Sequence, residues 1–65
     1  MAHDTAALLD AFAELRRTWD ELVGLQPDIV EVDLAALSER VSAHIVAAVA
    51  LEDQIEIMRA QEEGA

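Results

Sequence analysis

His44 is the one side chain within the helical pattern that could carry chemistry, either as a metal ligand or as a pH-sensitive group at an interface. Carboxylate-bridged metal bundles place Glu-x-x-His on a helix. Here the residue three before His44 is Val41, and Glu39 is five away. The spacing therefore predicts a seam histidine whose ring packs while its nitrogens bond a neighbouring chain or water. His3, close to the start of the sequence, is read as solvated.

Glu52, Asp53 and Glu56 are the densest carboxylate group, with Glu52 and Glu56 one helical turn apart. A hard cation held by protein alone gathers about six to eight oxygens, often from a loop, so these residues read as a solvated acidic face. Acid–base work by paired carboxylates also needs a concave pocket. Arg16 and Arg17 adjoin Asp20 and Glu21, which points to local ion pairs rather than a phosphate cradle. Glycine-rich loops, nucleophile elbows and internal repeats are absent from the sequence. These readings predict no catalytic residue, no cofactor and no metal.

The elements that must position these residues are legible from spacing. Leu8, Phe12, Leu15, Trp19 and Leu22 recur at intervals of four and three, an a/d seam with the leucines at d and the aromatics at a. Both aromatics are thereby expected to pack in the core; at the rim, Trp19 would instead anchor a partner. Leu9 and Val23 widen the stripe, while Asp10, Glu14, Arg17 and Glu21 face the other way. Asp4 or Thr5 suits the N-cap, and Gly24 suits the position just past the helix end.

The same rhythm continues through Val30, Leu34, Leu37, Val41, His44, Ala48, Leu51, Ile55 and Met58. The connection between the two runs admits two readings. Pro27 could be the first residue of an early second helix, or Ile29 to Val32 could be extended and Asp33 the N-cap. The fold class predicted is all-α: an antiparallel two-helix hairpin in one domain, residues 1–65, with helix 1 at about 4–23, a connection at 24–33 and helix 2 at about 34–62.

Composition supplies the next constraint. The 65 residues include 14 Asp and Glu against 4 Arg, a net charge of −10 with a pI near 4.2. Apolar residues make up 54%, but 13 of those 35 are alanine and only Phe12 and Trp19 are aromatic, so bulky core formers are scarce. Cysteine is absent, which excludes disulfides and thiolate metal sites. Chains this short usually need a staple beyond their own core. The remaining candidate is a partner chain.

The second run supports that reading. Between Ala43 and Leu51 the only polar side chain is His44, and Val46 and Val49 fall on the side away from the seam, with Ile45 on its flank. A helix apolar all round is normally covered on all sides. The surface of Ile45, Val46, Val49 and Ile57 therefore calls for a second molecule, with Trp19 and His44 completing the candidate partner interface. The closed solution is a homodimer of hairpins, a four-helix bundle. A heteromeric partner supplying the missing helices would satisfy the same physics.

The acidic balance argues against direct nucleic-acid binding and against an anionic membrane surface. The uncharged run Val41 to Leu51 is too short to span a bilayer, and the first residues lack the basic region of a signal peptide. The expected location is the cytoplasm. The expected function is a non-enzymatic protein–protein interaction module: a small acidic helical adaptor, assembly factor or regulatory subunit of a larger protein. The alternative is an acidic mimic of nucleic acid that inhibits a DNA- or RNA-binding protein, motivated by the charge.

Overall fold

The computed structural model describes residues Thr5–Gly64 as two helices and a short connection, with no strand among the described residues. Helix α1 spans Thr5–Val23 and helix α2 spans Leu34–Gly64. The candidate cap Asp4 and the histidine His3 lie outside the described residues. The two helices pack against each other, and the cross-links Thr18 to His44 and Glu21 to Arg40 show that they run antiparallel. At 1.5 Å per residue α2 is about 46 Å long and α1 about 28 Å. The molecule is accordingly a rod of 52 × 16 × 10 Å.

The connection follows neither expected course in full. Gly24 N–H donates to the Asp20 carbonyl at 2.9 Å and Leu25 N–H to the Leu22 carbonyl at 3.1 Å, so α1 tightens as it ends. No glycine has a positive φ among the described residues, so Gly24 is not the left-handed stop its position suggested. Pro27 sits in the first turn of a 3-10 helix, Gln26–Asp28, where its missing N–H costs nothing. Ile29 has φ −57° and ψ −28°, right-handed helical values rather than extended ones. Asp33 then caps α2: its carboxylate accepts the Ala35 N–H at 3.0 Å, and its carbonyl accepts the Leu37 N–H at 3.0 Å.

The contact between the helices sets small residues among leucines. Thr18, Ala47 and Leu51 are buried, while Leu8, Ala11, Leu15 and Leu22 on α1 and Leu37, His44 and Met58 on α2 are half-buried around them. The expected a/d seam is thus only partly used. The d-position leucines face α2, but Phe12 and Trp19 each remain 50% exposed, and Ala11 and Thr18 take the places expected of them. On α2, Ala47 rather than Ala48 is enclosed, and Gln54 is less exposed than Ile55. Small side chains at a crossing let two backbones approach closely. That closeness turns the bulkier aromatics out to the side.

By length and composition alone α2 could cross a membrane. Its uncharged run is only the eleven residues 41–51, bounded by Glu39 and Arg40 on one side and Glu52 and Asp53 on the other. Eleven residues give about 17 Å of apolar helix, roughly half the hydrocarbon thickness.

Candidate interaction surface

The surface is centred on His44, which α2 presents to α1 opposite Thr18. Thr18 Oγ1 donates its single proton to the Leu15 carbonyl at 3.0 Å, the habit of a threonine inside a helix. The same oxygen lies 2.9 Å from His44 Nδ1 and, with its proton on Leu15, accepts from the ring when Nδ1 carries the hydrogen. Such a chain of two hydrogen bonds is the one a ring with its hydrogen on Nδ1 makes to a threonine whose own proton is engaged. The ring of Trp19 lies against the histidine, centroids 5.5 Å apart at a tilt of 43°.

Beside this pair runs an open groove of about 690 Å³ lined by Leu9, Phe12, Leu15, Arg16, Trp19 and His44. A second hollow of about 350 Å³, toward the connection, is walled by Trp19, Leu22, Val23, Ile29 and Leu37 among others. Trp19 is the ridge between the two. The walls are mostly apolar; Arg16 and the histidine edge add polarity to the first groove and Gln26 to the second. The groove is a trough open along one side of a two-helix rod, so it offers side-chain docking rather than enclosure of a small molecule.

The opposite side of the hairpin is ionic. Glu21 bridges Arg17 at 2.7 Å and Arg40 of the other helix at 3.4 Å, and Arg17 also pairs with Glu14. The Arg17 guanidinium holds the Glu14 carboxyl below its ordinary range, chiefly by hydrogen bonding, and the pair raises Arg17 in turn. Arg16 meets Asp20 at 3.4 Å, and Arg59 meets Glu56 at 3.6 Å and Glu63 at 3.9 Å. Every arginine thus has a carboxylate neighbour, and none is free to form a phosphate cradle. Exposed pairs of this kind contribute little to stability. No group of three His, Asp or Glu side chains suited to a metal ion occurs among the described residues.

The six interface candidates divide between surfaces. Trp19 and His44 meet in the groove, where His44 is already half-buried within its own chain. Ile45 is exposed beside that face. Val46, 69% exposed, Val49 and Ile57 lie on parts of α2 turned away from α1. They form no single patch with Trp19.

Sequence reasoning missed Thr18 as the partner of His44, and missed the groove that Leu9 and Phe12 build with them. The available signal was a second line of smaller residues, Ala11 and Thr18, repeating at seven beside Leu8, Leu15 and Leu22. No protein-family model, curated protein or solved structure matches the chain.

Proposed function

We propose that the chain is a non-enzymatic protein–protein interaction module, a small acidic helical adaptor, assembly factor or regulatory subunit that associates with a second copy of itself and with a larger protein. The observation that carries this reading is the imbalance between core and surface. Three described residues are buried, whereas Leu9, Phe12, Trp19, Ile45, Val46 and Val49 are all exposed. A core that small falls short of what an isolated domain normally needs, and an apolar surface that large is characteristic of interaction sites.

Two measurements test it. The thermal midpoint should rise with protein concentration, because association and folding are then linked; a constant midpoint with a monomer mass by light scattering removes self-association. Co-purification of the tagged chain from its source should yield a partner retained at high salt. Capture that collapses as salt rises marks an electrostatic interaction instead, the behaviour of a nucleic-acid mimic.

A further inference from the structure

On each helix the leucines share the line of contact, but the exposed large apolar residues Phe12, Trp19, Val41 and Ile55 lie to one side of it. At 3.6 residues per turn, the stripe Leu8, Phe12, Leu15, Trp19, Leu22 is centred about 40° around α1 from the stripe in which Ala11 and Thr18 replace the aromatics. On α2 the seam His44, Ala48, Leu51, Ile55, Met58 is likewise centred about 40° from the stripe in which Ala47 and Gln54 replace Ala48 and Ile55, in the same rotational sense. Because the helices are antiparallel, rotations of the same sense carry both stripes to the same side of the hairpin. The side is identified by the Trp19–His44 contact, with the Glu21–Arg40 bridge on the other.

Four helices at the corners of a square share an axis that lies about 45° off the line joining any two neighbours. A hairpin taken from such a bundle must therefore show both apolar stripes turned by that angle toward one face, and this hairpin does. We propose that a second copy of the chain docks on the Phe12–Trp19 face about a two-fold axis and closes a four-helix bundle. Val46 and Val49 then stay outside this interface. This inference rests on the self-association reading above and adds to it the face.

A second copy, rather than a foreign hairpin, fits for two reasons. An isologous interface needs one patch that is apolar on both helices, and this face has Leu9, Phe12 and Trp19 on α1 and Val41, Ile45 and Ile55 on α2. The half-exposed aromatics offer on the order of 100 Å² apiece, and with the four aliphatic residues the patch approaches the roughly 800 Å² per partner of a standard interface. The rim also carries both signs, Arg16 beside its own Asp20 on α1 and Glu52 on α2. Opposing them across the two-fold axis moderates the repulsion between chains of net charge −10.

The test uses sedimentation velocity on the full chain, Phe12→Asp and Val49→Asp, with acrylamide quenching of Trp19 in the unaltered chain across a dilution series. Acrylamide is uncharged, so the acidic surface does not repel it. The expected result is a dimer that Phe12→Asp breaks and Val49→Asp leaves intact, with quenching increasing several-fold as the dimer dissociates. The quenching arm needs no substitution, so it stands even if Phe12→Asp unfolds. A dimer whose Trp19 stays as open to acrylamide as in the monomer, or one broken by Val49→Asp alone, overturns this face while self-association stands. A chain monomeric at every concentration removes both.

Discussion

Thr18 Oγ1 and His44 Nδ1, 2.9 Å apart, join the two helices through side chains 26 positions apart in sequence. Thr18 is itself buried, where a polar group without a partner would be costly. Removing one partner should therefore cost more than removing both. Thr18→Val leaves the ring nitrogen without its acceptor and should destabilise the chain by about 1–3 kcal/mol. The double variant Thr18→Val, His44→Leu should recover part of that loss. Urea unfolding of the two single variants and the double variant measures the coupling; strict additivity would show that the bond contributes nothing.

The hydroxyl proton of Thr18 is engaged by Leu15, so neutral His44 should be protonated at Nδ1. Long-range proton–nitrogen NMR spectra at alkaline pH should report the Nδ1–H tautomer. The Nε2–H form would mean that Thr18 turns its proton toward the ring and releases the Leu15 carbonyl.

Ala47 is 4% exposed where the helices meet, and Ala50 on the same helix is exposed. Ala47→Leu should force the backbones apart at a cost of about 1–3 kcal/mol. Ala50→Leu should change stability by no more than about 0.5 kcal/mol, as at other surface positions. Thermal unfolding of both at one protein concentration distinguishes them, and equal effects would show that the small-residue contact is not what sets the helix separation.

Asp33 should be worth about 1 kcal/mol as the cap of α2, since its carboxylate takes the Ala35 N–H. Asp33→Ala should lower the thermal midpoint and helicity, and Asp33→Asn should largely preserve both. Equal loss in the two variants would point to charge rather than capping.

Acid should act on the Glu14–Arg17 pair in a defined sense. The folded pKa of Glu14 lies below its unfolded value of about 4.5, so its contribution is fully present above that pH and fades as pH falls through the folded value. Glu14→Gln should remove that part of the acid dependence and leave stability at pH 7 nearly unchanged, because the pair is exposed. Thermal midpoints at pH 7 and pH 3 supply the comparison, and an acid limb identical in the two proteins would show the pair to be inert.

The sequence by itself determined the all-α class and the hairpin. Period and punctuation are local properties: the leucines at 8, 15 and 22 mark one side of α1, and Pro27 and Asp33 mark where a helix cannot continue or must begin. It also placed His44 in the seam and Val46 and Val49 away from it, because angular position follows from residue number at 3.6 per turn. What periodicity cannot fix is which part of a broad apolar stripe meets the neighbouring helix, since that depends on how closely the two backbones pack. Only the tertiary structure decided that Ala11, Thr18 and Ala47 make the close contact, that Thr18 receives the histidine, and that Phe12 and Trp19 are left half-exposed on one face. The physical reason is the length of the side chains: the smallest residues allow the closest approach, and the aromatics are too long to fit beneath it.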